Sequence, residues 1–153
     1  MNTDSCNFVK EPIGRIMGKI SRLFLASINN KLTHLDIERS YYTLLVIESG
    51  KGKIIQQELA GLLSCDKVQV VRIINYLSSN GYVERDQDSK DRRKSCLRIT
   101  GKAEKFLPDI KKAIQETTVL ALKDLPEKKV DELYSFLKII ENNLESNKIE
   151  LLK

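Results

Sequence analysis

DKVQVVRIINYLSSNGYVERDQDSKDRRKSCLRIT, residues 66–100, is the stretch whose reading decides the fold. Its first half reads as a helix. Asp66 suits an N-cap, because its carboxylate can accept the orphan N–H groups of a first turn, and Gln69 stands where a capping box needs it. Val70, Ile73, Ile74 and Leu77 recur at i, i+3, i+4 and i+7, the spacing of one buried helix face. Asn80-Gly81 closes the helix, since glycine enters the left-handed region without a Cβ clash. The second half reads as a hairpin: Tyr82–Arg85 and Ser95–Ile99 are β-prone runs, with Val83 expected against Leu97 and Ile99. DQDSKDRRK between them is too polar to pack and rich in turn formers.

The helix spans about thirteen residues, roughly 20 Å, enough to lie along a DNA groove. Opposite its apolar stripe stand Lys67, Val68, Gln69, Val71, Arg72, Asn75 and Tyr76. Major-groove reading would use such a set: Arg pairs with guanine edges, Gln or Asn with adenine, and an apolar group packs on the thymine methyl. An ordinary amphipathic helix with two valines in solvent is the competing account, because isolated exposed apolar residues are normal. Charge tilts the comparison. Residues 66–105 hold ten Lys or Arg against six Asp or Glu, a net of +4 out of the chain's +5. Lys90, Arg92, Arg93 and Lys94 at the hairpin tip suit a minor groove, whose negative potential attracts arginine. A charge run is usually a solvated loop; here it follows a helix with base-reading chemistry.

LAGLLSCDKVQVVRIINYLSSNGYVERDQDSKDRRKSCLRIT resembles the winged helix-turn-helix of the MarR family of bacterial transcriptional regulators. The family pattern runs L-A-x-x-L, a turn, the recognition helix, L-x-x-x-G-h-h-x-R with h apolar, then D-x-x-D-x-R and L-T. The chain matches at Leu59-Ala60, Leu63, Leu77, Gly81, Arg85, Asp88, Asp91, Arg93 and Thr100. The match is specific across residues 54–101, and length and helix order are compatible over nearly the whole chain. It implies a homodimer that binds pseudo-palindromic double-stranded DNA and often releases it on meeting a small ligand or oxidant. Two departures matter. Val68 and Gln69 stand where the family commonly has Ser and Thr, so operator preference cannot be carried over. Ile55 replaces the usual Ser or Thr cap, so the first helix of the motif is expected to start less cleanly, after a short strand through Lys53-Ile54-Ile55.

The rest of the chain fits around this motif. A chain of 153 residues, 41% hydrophobic and 31% charged, is expected to form one soluble domain. No apolar run approaches the ~18 residues needed to span a bilayer, and the N-terminus lacks a signal-peptide pattern, so a cytoplasmic location is expected. Cys6, Cys65 and Cys96 are scattered without C-x-x-C, and His34 is the only histidine, so neither a zinc site nor a disulfide framework is expected. No glycine-rich phosphate loop and no nucleophile motif beside His34 appear. No cofactor, metal or catalytic residue is assigned, and an enzyme is not expected.

Pro12 should open a first helix to about residue 31, with Ile13, Ile16, Met17, Ile20, Leu23, Phe24 and Ile28 as its stripe. Gly14 and Gly18 inside it suggest a close helix crossing, room for a ligand, or two tolerated glycines. Glu38–Ser49 should form a second helix, with Tyr41, Leu44, Leu45 and Glu48 at helical spacing and Gly50 as its stop. Ile55–Leu63 should form the next, packing Leu59, Leu62 and Leu63 against Val70, Ile74 and Leu77, with Gly61 permitting close approach. Gly101 should begin a long helix kinked or restarted by Pro108 near Phe106-Leu107, and Pro126 should open the last. The last helix has Val130, Leu133, Tyr134, Leu137, Ile140 and Leu144 as its stripe, widened by Phe136 and Ile139.

The expected fold is therefore mainly α with a small β-hairpin: one MarR-type domain over residues 1–153. Residues 38–100 form the winged helix-turn-helix lobe, and 11–31 and 101–147 are dimerisation helices. Their surplus apolar surface suits a homodimer, with an intramolecular helical core as the rival. Two-fold symmetry would set the recognition helices about 34–36 Å apart, or a multiple of it. The expected function is a sequence-specific transcriptional regulator, a repressor by occlusion. Lys67, Val68, Gln69, Val71, Arg72 and Asn75 face DNA from the helix, and Arg93 reaches the minor groove. Asp91 orients Arg93, as in the family's D-x-R. Lys90, Arg92 and Lys94 contact phosphates, which confers affinity without sequence information. The resemblance suggests an effector pocket between dimer helices and DNA lobe, with Arg15, Arg22, His34 and Tyr41 as candidate ligand contacts. It also suggests Cys6 as an oxidant sensor, though only Lys10 nearby favours its thiolate. A non-specific architectural nucleic-acid binder and a winged-helix protein-interaction module are the alternatives.

Overall fold

The computed structural model describes residues 10–37, 40–87 and 95–150. Pro12 stands just ahead of α1 (Ile13–Lys31), where its missing N–H removes no helical bond. The C-terminal end of α1 is the anchored end: Ile28 is buried, and Leu32, Leu35 and Ile37 of the following turns join it in the core. Ile13, Ile20 and Leu23 of the same stripe remain exposed. A Cβ at Gly14 would meet nothing within 4 Å. One at Gly18 would touch only the Arg22 guanidinium, so neither glycine marks a close crossing within this chain.

The second helix, α2 (Tyr41–Ser49), begins later than Glu38, behind a turn in which the Ser40 N–H donates to the Ile37 carbonyl at 2.8 Å. Thr43, Leu44, Val46 and Ile47 are all buried, so α2 is enclosed on more than one side and its single-stripe reading was too narrow. The third, α3 (Gln56–Leu62), is shorter than Ile55–Leu63. Ile55 has no side-chain acceptor to cap it. Glu58 compensates from inside the helix, its carboxylate accepting the Ile55 N–H at 3.1 Å. The strand expected through Lys53-Ile54-Ile55 is present in reduced form: Ile55 bridges Cys96, and the Leu97 N–H donates to the Ile54 carbonyl at 2.8 Å. Leu59 and Ala60 are buried and Leu63 packs on the core. Leu62 does not. At about 100° per residue it turns away from the face those three define, and it is 59% exposed. Gly61 also has open space beside it, so it permits no close packing.

The fourth helix, α4 (Lys67–Ser79), lays Val70, Ile74 and Leu77 in the core. Two strands follow, β1 (Val83–Gln87) and β2 (Ser95–Ile99), antiparallel with Val83 opposite Ile99 and Arg85 opposite Leu97. The first strand thus starts one residue after Tyr82. Gly81 joins α4 to β1 at φ +73, a left-handed position. Thr100 locks that turn to the next helix: its hydroxyl donates to the Gly81 carbonyl at 2.6 Å and accepts the Ala103 N–H at 3.3 Å. A Cβ at Gly81 would find only the Lys102 side chain at 3.9 Å, so the cost of a side chain there is conformational. Gly81→Ala is expected to lower stability by about 1–2 kcal/mol, read as a fall in Tm of a few degrees, with Gly81→Asn losing less. An unchanged Tm would contradict this reading of the turn.

The fifth helix, α5 (Gly101–Leu122), runs through Pro108 as one helix and does not restart there. Proline frees only the carbonyl four residues back, that of Glu104, and both residues lie on the exposed side where water replaces the lost bond. The chain divides into two compact units, Met1–Thr117 and Thr118–Lys153. In the first, Ala103, Leu107, Ile110 and Ala113 of α5 complete the core. There Ser27 and Thr117 share a hydrogen bond of 3.1 Å, and Lys31 pairs with Glu116 at 2.7 Å. The second unit carries the end of α5 and α6 (Glu127–Glu150), which follows Pro126 and runs past residue 147. None of its described side chains is buried; Tyr134, Phe136, Leu137, Ile139 and Leu144 are exposed. Among the described residues the fold is six helices and a two-stranded antiparallel hairpin. No described helix is long and apolar enough to cross a membrane.

Candidate nucleic-acid interface

The N-terminus of α4 is built by its cap. Asp66 accepts the Gln69 N–H at 2.8 Å, and the Gln69 carboxamide oxygen accepts the Asp66 N–H at 3.4 Å. With Val70 and Ile74 held in the core, the opposite face of the helix is forced outward. Lys67, Val68, Gln69, Val71, Arg72 and Asn75 are all exposed, Val68 at 67% and Val71 at 44%. The six helix candidates are thus brought onto one surface. Gln69 has two tasks there, because its oxygen closes the cap while its NH2 stays free to meet a base.

Tyr76 differs from expectation. It is half-buried against the core, and its hydroxyl donates to the Asp36 carboxylate, fastening α4 to the turns after α1. A phenol ring with one polar tip reads equally well as outward or inward from sequence, and Asp36, forty residues away, decides it. Arg85 gained no role of its own from the sequence beyond its place in the family pattern. It reaches from β1 to the Asn75 carboxamide oxygen at 2.8 Å. Its neighbour in the hairpin, Arg98, pairs with Asp86 at 3.0 Å. Lys90, Asp91, Arg92, Arg93 and Lys94 of the tip, and Cys6, lie outside the described residues.

Cys65 precedes the Asp66 cap and is half-buried. Burial, helped by the adjacent Asp66 carboxylate, pushes its thiol above the usual range. Both effects disfavour the thiolate, the reactive form of the group.

The four effector candidates do not come together around one cavity. Arg15 is an exposed partner of Glu11 at 3.1 Å, and Arg22 is exposed on the same helix. His34 pairs with Asp109 at 3.3 Å and meets Phe106 edge-on. Tyr41 is half-buried, with burial pushing its hydroxyl pKa up. A depression of about 520 Å³ opens instead beside Asn29, Thr33, Ser40, Thr43 and Ile73. Asn29 Oδ1 is buried there without a hydrogen-bond partner. No cluster of metal-ligating side chains occurs among the described residues.

A family model described as the MarR family matches residues 37–95. Solved structures share the fold over nearly the whole chain. The transcriptional regulator SlyA is 27% identical with a TM-score of 0.82, covering 92% of this chain and 99% of its own. A MarR transcriptional regulator from Methanosarcina mazei Go1 is 29% identical with a TM-score of 0.75, covering 87% and 96%. A MarR-family regulator from Listeria monocytogenes, in complex with a 26mer DNA, is 25% identical with a TM-score of 0.82, covering 90% and 91%.

Proposed function

Because the chain belongs to the MarR family of winged helix-turn-helix transcriptional regulators, which bind DNA and are not enzymes, we propose that it is a repressor. As a homodimer it occludes a pseudo-palindromic operator. The observation that carries this is the outward face of α4, where Val68, Val71, Arg72 and Asn75 stand exposed while Val70, Ile74 and Leu77 anchor the helix from behind. Exposed valines interleaved with Arg and Asn offer methyl contacts and hydrogen-bond donors to base edges, a combination solvent alone does not reward. Lys67 and Gln69 complete the surface at the helix N-terminus. Lys90, Arg92 and Lys94 take phosphates, and Arg93, oriented by Asp91, takes the minor groove. Residues 38–100 form the reading lobe, and 11–31 and 101–147 form the dimer. The DNA complex of the Listeria monocytogenes relative supports the same use of the fold.

A small ligand relieves repression by entering the depression beside Asn29 and Ile73. Ile73 belongs to α4, so an occupant there bears on the reading helix itself, and Asn29, Thr33, Ser40 and Thr43 give its wall polar side chains.

The test is binding to a panel of duplexes with competitor DNA at two salt concentrations. A large specific-to-non-specific ratio is expected. Arg72→Ala should cost about 1–3 kcal/mol on the preferred site and little on unrelated DNA. Lys90→Ala should weaken all sequences alike and flatten the salt slope by about one. Equal affinity for every sequence would identify an architectural binder. Absence of binding at low salt would leave a protein-interaction module.

A further inference from the structure

We propose that Arg85 sets the base preference of α4. It holds the Asn75 carboxamide with its oxygen turned toward the hairpin, so that Asn75 presents its N–H donors to DNA. The inference rests on α4 being the base-reading helix and adds a positioning residue to it.

The argument starts from the strand register. Arg85 lies opposite Leu97 and two residues from Val83, so it shares the hairpin face whose Val83 and Leu97 are buried in the core. Being further out along the strand, it is exposed, and its guanidinium crosses to α4. There Nη2 donates to Asn75 Oδ1 at 2.8 Å. A guanidinium has donors and no acceptor, so the amide must present its oxygen to it; the flipped amide would set N–H against N–H. The Asn75 NH2 is consequently directed away from Arg85. Asn75 follows Val68 by seven residues and Arg72 by three, which places it in the same exposed stripe.

The consequence is chemical. Adenine presents N7 as acceptor and N6 as donor in the major groove, and an asparagine reads both only when its oxygen and its NH2 are available together. With the oxygen turned to Arg85, the outward NH2 suits O6 and N7 of guanine or O4 of thymine, whereas beside adenine N7 the N6 donor sets N–H against N–H. Asn75 therefore favours guanine or thymine over adenine at the position it faces, although its residue type alone suggests adenine.

Site selection from random duplexes tests this with the full-length protein and three variants. The wild type should show a guanine or thymine preference at one position per half-site. Arg85→Ala frees the carboxamide, and adenine should gain about tenfold at that position while the others stay unchanged. Arg85→Lys keeps a donor for Oδ1 and should keep the wild-type preference. Asn75→Asp retains the partner of Arg85 but has no N–H, and should lose the guanine or thymine preference in favour of cytosine, whose N4 is a donor. Preference is read on bound complexes only, so partial unfolding of a variant does not alter it. If Arg85→Ala weakens every sequence by one factor with the preference intact, Arg85 is a phosphate contact and the inference fails while base reading stands. If the wild type selects no sequence at any position, base reading fails and the inference with it.

Discussion

A protein carrying Leu137→Glu and Leu144→Glu is expected to be monomeric and to bind the full operator about 10²–10⁴-fold more weakly, with half-site binding nearly unchanged. The two leucines are seven residues apart on α6 and are 41% and 67% exposed. Apolar surface of this extent along a helix with no buried side chain among its described residues is not the pattern of a finished monomer surface. In the proposed homodimer a second copy covers it. Neither position is buried among the described side chains of α6, so carboxylates there are expected to leave the folded chain intact. In a dimer they bury charge against an apolar partner, which is costly. The loss in DNA binding then follows from the loss of the second, tethered half-site contact. Sedimentation at fixed concentration and anisotropy titration on full and half operators check both parts. A variant that remains dimeric with wild-type affinity would remove these positions from the interface.

The second large effect is on stability. Ile74→Ala is expected to cost about 2–5 kcal/mol, because Ile74 is fully buried and truncation leaves a cavity the neighbouring Leu77 and Leu59 cannot wholly fill. Against a total of about 5–15 kcal/mol for a folded domain, that is a large share. Val68→Ala, one and a half turns away on the exposed face, should change stability by at most about 0.5 kcal/mol while weakening the preferred DNA site. The contrast separates the anchoring face of α4 from its reading face. Urea unfolding at one protein concentration measures it, since a dimer's stability depends on concentration. An Ile74→Ala variant as stable as Val68→Ala would mean that α4 is not anchored as described.

Patterns carried by neighbours in the chain were legible from sequence. The Asp66–Gln69 cap, the Val70–Leu77 stripe and the Gly81 stop each depend on residues within one or two turns, and all three are present in the structure. The short strand expected ahead of α3 is present as the Ile55–Cys96 bridge, whereas the helix start itself is held by the Glu58 carboxylate. The misreadings share one cause. Leu62, Tyr76 and the enclosed α2 were assigned from periodicity, which reports that a face exists and says nothing of how many neighbours surround it. Pro108 was read from the bond it removes, whereas the exposure of Glu104 decides whether that removal matters.

By itself the sequence determined the order of helices and hairpin, the polarity of each face of α4, and the concentration of positive charge around it. These follow from local spacing and from side-chain chemistry that does not depend on the fold. Only tertiary structure decided which polar groups meet: Tyr76 with Asp36, Arg85 with Asn75, and Asn29 with no partner beside the depression. The physical reason is range. A hydrogen bond acts over about 3 Å and is set by where two distant segments come to rest, which no stretch of either segment specifies alone.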